Sequence, residues 1–213
     1  MCYNFNNKTV DLKKAVSDFN AEEIEQNYEL KGSINAFAKP EKPEIPAIVN
    51  RNGIVLMNTF WGTIQNPDQA TKGKNLQTEN TYTYYKKIKD NRCLIPVSSY
   101  YESKEIFRPG KRDPNKKIRD TQKHEMFWKD KAQFYIAAFY DVYADGSLGF
   151  GLITTIPNTV QAAIHHRMIV TLDAKMGNEF LNLAPIEEFQ FPNYSPHLQY
   201  KNLEPEKTPP TLF

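Results

Sequence analysis

The chain alternates short apolar runs with polar punctuation, and few of its apolar stretches keep a helical period. Residues 9–27 are one that does: Leu12, Val16 and Phe19 share a face among polar neighbours, which predicts an amphipathic helix. Pro40, Pro43 and Pro46 break any helix and lead into Ala47-Ile48-Val49. Asn50-Arg51-Asn52-Gly53 reads as a hairpin turn, because Asn-Gly tolerates positive φ at little cost. Ile54-Val55-Leu56-Met57 is then the returning strand, running toward Trp61-Gly62. Residues 67–74 are loop-like, residues 81–90 helical, and residues 92–97 a buried strand.

Residues 104–123 are highly charged and contain Pro109-Gly110 and Asp113-Pro114, so they read as a long exposed loop. Phe127-Trp128 and residues 134–140 are strand-like, joined by a turn at Lys129-Asp130-Lys131. Asp145-Gly146 marks a further hairpin, returning through residues 150–155. Residues 160–165 are mixed, residues 168–172 strand-like, and residues 205–213 an extended tail. No repeat or composition break divides the chain. The reading is one α+β domain over residues 1–213, built on a twisted, mainly antiparallel, barrel-like sheet with a few flanking helices.

Charge narrows the function. Lys+Arg 27 against Asp+Glu 25 gives a formal net charge of +2, so any contact with nucleic acid must be local. Two cysteines make no disulfide scaffold, and no Cys/His spacing suggests a metal; neither metal nor cofactor is expected. The apolar runs are too short to span a bilayer and residues 1–14 lack a signal peptide's apolar segment, so a cytoplasmic protein is expected. Phosphate-cradling glycine motifs and a G-x-S-x-G elbow are absent.

Candidate chemistry begins at Cys2. Removal of Met1 leaves a cysteine with a free α-amine, whose pKa of about 7.7–8.0 keeps roughly a tenth of it nucleophilic at pH 7. An aldehyde condenses with that amine to an imine, and the thiol closes a thiazolidine ring with high effective molarity. Taken alone, Cys2 is equally an incidental residue at a frayed terminus. Glu102, at the end of an apolar strand among aromatics, suits general acid/base work or simply faces water. Asn75 is a site residue or a helix cap. His165 can move protons and Arg167 can grip a phosphate, or both are plain surface groups.

As an ordered set these residues resemble the SOS-response-associated peptidase (SRAP) family, whose members crosslink to abasic sites in single-stranded DNA. The resemblance runs through Met1-Cys2, Trp61-Gly62, Asn75 with Glu79, Arg92-Cys93-Leu94-Ile95-Pro96, Tyr101-Glu102, Ile153-Thr154-Thr155 and Ile164-His165 with Arg167-Met168. It implies a monomeric abasic-site sensor, nucleoid-associated when bound to damaged DNA. In that role Cys2 links to the ring-opened aldehyde and Asn75 holds the N-terminal residue and sugar. Glu102 is the acid/base for imine formation and Met1 release, and His165 assists sugar ring opening. It places Pro40, Trp61, Thr154 and Arg167 along the DNA path. Departures are Asn4 and Gln77 where the family has arginines, Ser103 where it has tryptophan, and Ile169 where it has proline. They thin the phosphate and stacking contacts while leaving the chemical residues in place. A cysteine peptidase and a non-catalytic single-strand-binding module are the alternatives.

Overall fold

The computed structural model describes residues 4–207 except 25–26, 37–42, 64–74, 80–85, 87, 111–112 and 114–115. Cys2, Pro40, the 67–74 loop, most of the 81–90 helix and the end of the tail thus lie outside the described residues.

Five strands form a closed ring. These are β4 (Glu44–Asn50), β5 (Ile54–Trp61), β7 (Arg92–Val97), β10 (Phe134–Val142) and β11 (Leu148–Thr155). In the order β5-β4-β7-β10-β11 every neighbour is antiparallel. The ring closes through a parallel pair, with Gly149 beside Phe60 and Phe150 beside Trp61. Short strands extend it: β2 (Glu22–Glu23), β6 (Asn75–Gln77), β12 (Met168–Ile169) and β13 (Thr171–Leu172). A second, antiparallel sheet has the order β14-β9-β8-β1-β3, from Leu198–Asn202, Lys117–Trp128, Ser99–Pro109, Asn4–Asn6 and Ile34–Asn35.

The uninterrupted apolar runs follow from burial on both faces. Cys93, Ile95 and Val97 point into one core, with Phe134, Ile136, Ala138 and Phe150. Phe5, Tyr100, Met126 and Trp128 of the second sheet complete that core. Leu94, Tyr135, Ala137 and Phe139 point the other way, onto helices α1 (Leu12–Phe19) and α3 (Ala174–Leu181). Helix α2 is a single turn, Thr159–Ala162. Cys93 is fully buried, which pushes its thiol pKa far up and leaves it inert.

Several expectations change in detail. The first helix ends at Phe19, because Asn20 adopts a left-handed conformation (φ 48°) and caps it. Residues 104–109 and 117–123 are strand instead of loop: β8 and β9 pair in register from Tyr100↔Met126 to Pro109↔Lys117. Cross-strand ion pairs, Arg108 with Asp120 and Arg119 with Glu105, let a charged sequence hold a ribbon. The turn at residues 129–131 joins the two sheets instead of closing a hairpin, since β9 pairs β8 and β14 while β10 pairs β7, β11 and β13. The tail begins with a 3-10 turn, Pro205–Lys207. Sequence reading missed α3 and β14. Asp173, whose side chain accepts from the Met176 N–H, was the available signal for α3.

Ring closure sets a packing constraint at Gly149. A Cβ there would run into the Gly62 carbonyl and the Tyr143 ring, and Tyr143 in turn donates its hydroxyl to Gly62 O at 3.0 Å. Gly149→Ala is expected to lose about 3 kcal/mol or more in urea unfolding. Gly32→Ala, where a new Cβ meets only the Lys8 side chain at 3.5 Å, should change the midpoint little.

Candidate active site

Along β8 and β9 the side chains alternate between a core-facing and an outward set. Tyr100 and Glu102 face inward with Met126 and His124, their register partners; Glu102 and His124 are each 3% exposed. Asn4 and Asn35, partners on β1 and β3, stand at the edge beside β8. There a cleft of about 330 Å³ opens, with Glu102 and His165 in its lining. Asn4, Asn35, Tyr101, Ser103 and Lys123 form the rest of its wall, and Lys123 lies 4.2 Å over the Tyr101 ring.

His165 comes from the turn after α2, and buried Gln161 ties that turn to β8. Gln161 Oε1 accepts from the Tyr100 hydroxyl at 3.0 Å, and its Nε2 donates to Arg167 O at 3.0 Å. Its carbonyl also accepts the His165 N–H at 2.8 Å. The Arg167 N–H donates to His165 Nδ1 at 3.1 Å, a bond that needs the Nδ1 lone pair. Burial, reinforced by neighbouring positive charge, holds His165 down to about pKa 4. The ring is therefore neutral at physiological pH, with its proton on Nε2. Such an imidazole donates a hydrogen bond; it is not a cation.

Other sequence-selected residues form an internal clamp. Asn75 is half-buried on β6, beside Leu152 of β11, and is not part of the cleft lining described above. Four residues on, Glu79 Oε2 meets Arg167 Nη2 at 2.8 Å. The same guanidinium nitrogen donates to Thr154 O at 2.8 Å, and Thr154 Oγ1 donates to Leu76 O at 3.2 Å. Arg167 thus locks β6, β11 and the His165 turn together, with its side chain 12% exposed. Thr154 is 1% and Trp61 2% exposed; Trp61 stacks on Phe150 and packs against Phe5 in the core. The site residues missed from sequence are Asn35, Lys123 and Gln161. None carries a local motif, and only pairing across sheets reveals them. Among the described residues no three His, Cys, Asp or Glu side chains gather as a metal site, and no helix is long and apolar enough to cross a membrane.

A closed barrel with a second sheet, and a carboxyl and a neutral imidazole in the cleft at that sheet's edge, define a single-domain α+β protein equipped for acid–base chemistry. The chain belongs to the SOS response associated peptidase (SRAP) family, whose family model matches residues 1–203. It is similar in fold to a Bordetella bronchiseptica protein at 17% identity and TM-score 0.66, over 95% of this chain and 99% of that one. A Bacteroides thetaiotaomicron protein matches at 20% identity and TM-score 0.63, over 94% and 91%. A phage-related protein from Bordetella bronchiseptica matches at 14% and 0.61, over 95% and 94%. No curated protein matches the chain. Membership connects the chain, through the family's description, with the DNA-damage response and a peptidase-like activity.

Two outcomes follow. The His165 ring should show the Nε2–H tautomer in ¹⁵N-resolved NMR and stay neutral until the pH nears 4. Burial alone would raise the Glu79 pKa, but the Arg167 hydrogen bond and charge outweigh it and hold the carboxyl below its usual range. A carboxylate with a lowered folded-state pKa stabilises above its unfolded value of about 4.3 and loses that contribution as pH falls through the folded one. Wild type should therefore exceed Glu79→Gln in thermal stability near pH 7, and the gap should close on acidification below about pH 4.

Proposed function

We propose that this protein captures abasic sites in single-stranded DNA by forming a thiazolidine with Cys2, after Met1 is hydrolysed away. The observation that carries this reading is the cleft lined by Asn4, Glu102 and His165. Cys2 precedes Asn4 by two residues, and two residues of chain reach at most about 7 Å.

In the abasic sugar, C1′ is masked as a hemiacetal. Ring opening breaks C1′–O4′, transfers a proton to O4′ and frees the C1′ aldehyde. The neutral His165 Nε2–H is suited to donate a hydrogen bond to O4′ as the bond breaks, and a ring with pKa about 4 gains no lasting charge. The Cys2 α-amine then adds to the aldehyde, and the carbinolamine hydroxyl leaves as water with a proton from Glu102. The Cys2 thiol gives up its proton, its sulfur adds to the imine carbon, and the ring nitrogen takes a proton back. The same Glu102 would activate the water that cleaves Met1–Cys2, which accounts for a peptidase-like description without a general proteolytic role. Asn75 is assigned the N-terminal residue and the sugar hydroxyls. Arg167, Thr154 and Trp61 would shape the DNA path from behind, and Pro40 would pack against a base.

Incubated with a single-stranded abasic oligonucleotide, wild type should give a band shifted on a denaturing gel and an intact mass equal to protein plus DNA less water. Cys2→Ala should give none; an equal shift from that variant would end the proposal. With Met1 removed by an added aminopeptidase, Glu102→Gln should slow crosslinking by roughly 10²-fold or more while leaving binding intact. Intact mass should also show wild type lacking one methionine residue and Glu102→Gln retaining it.

A further inference from the structure

The outer part of the β8–β9 ribbon, taken with the segment that joins its strands in sequence, carries a charge that the chain as a whole does not. Residues 104–123 hold eight Lys or Arg and three Asp or Glu, a net +5 within a chain of net +2. Past Tyr100 on β8 and His124 on β9 no third strand pairs with the ribbon among the described residues. Lys207 braces it as far as Thr121 O, and beyond that the two strands pair only with each other.

The ribbon begins at the cleft. Tyr101, Ser103 and Lys123 line the cleft and lie on the outward face, and the register continues that face through Glu105↔Thr121, Phe107↔Arg119 and Pro109↔Lys117. Phe107 is 52% exposed among the described residues, unusual for a phenylalanine. From the cleft outward this face therefore runs aromatic and cation, Tyr101 with Lys123, then aromatic and cation again, Phe107 with Arg119. Cations that follow a backbone beside rings that take bases are what a single strand needs. The Arg119–Glu105 pair is exposed, so exchanging the carboxylate for a phosphate costs little.

We infer that the outward face of the β8–β9 ribbon is the track for the single strand flanking the lesion. It extends the cleft by about 20 Å at strand spacing, and phosphates meet Arg119 and Lys117 while a base stacks on Phe107. This inference rests on the single-stranded-DNA reading above and deepens it by assigning the strand a direction away from the covalent site. The cleft holds the sugar and the ribbon supplies the field.

The test measures non-covalent affinity, by fluorescence anisotropy, of full-length Cys2→Ala for an undamaged single-stranded oligonucleotide across a salt series. In that background Phe107→Ser/Lys117→Gln/Arg119→Gln should weaken binding roughly tenfold or more. The slope of log affinity against log salt should fall by about 1.4, because two phosphates are no longer neutralised. Arg108→Gln/Ile118→Ser on the opposite face is the control and should bind like its parent. Circular dichroism and thermal melting check that each variant is folded. If the parent itself fails to bind single strands at low salt, the DNA reading falls with this one. If the parent binds and the triple variant binds equally, only the ribbon track is overturned. An equal loss in the control variant overturns the assignment to one face. A loss confined to oligonucleotides with an adjoining duplex overturns it in favour of a ribbon seated in a major groove.

Discussion

Closure of the barrel is the constraint on which the rest of the structure depends. β5 and β11 can pair only because Gly149 lets the Gly62 carbonyl approach, and Gly62 N–H donates to Phe150 O at 2.7 Å. Trp61, at the end of β5, then stacks on Phe150 and reaches Phe5 of the second sheet. One short contact thus closes the ring, roofs the core and seats β1, whose Asn4 lines the cleft. Residue type is what makes this possible. Any side chain at position 149 would separate the two strands.

The site is assembled by buried polar groups that cannot be left unsatisfied. Gln161 uses both ends of its amide, one on the Tyr100 hydroxyl and the other on the Arg167 carbonyl. Arg167 commits its guanidinium to Glu79 and Thr154, while its N–H fixes the tautomer of His165. Each bond contributes modestly to stability, yet together they hold the histidine turn, β6 and β11 to one geometry. Rigid positioning of this sort is what acid–base chemistry requires.

Solved structures at 14–20% identity share the fold, so the barrel tolerates wide change in its side chains. Asn4 and Ser103, two departures from the pattern the sequence resembles, both line the cleft. Small neutral side chains there leave the cleft wall less cationic, while the charged ribbon rises from its rim.

Much of the fold was legible in the sequence where one element decides its own form. Asn52-Gly53 and Asp145-Gly146 turn as their residues demand, and the runs ending at Val97 and Tyr140 announce strands buried on both faces. Glu102 and His165 stood out through their place in an ordered set of motifs, and both line the cleft. The β8–β9 ribbon was not, because its stability comes from ion pairs between positions twelve or more residues apart, and prolines and glycines mask the period. Nor were Asn35 and Lys123, ordinary residues that become a cleft wall only when β3, β1, β8 and β9 align. The sequence by itself determined which reactive groups the chain owns and most of its strands. Tertiary structure decided which of them share a cleft, that Arg167 is a clamp, and that His165 is neutral, because burial and hydrogen-bond partners are properties of the packed whole.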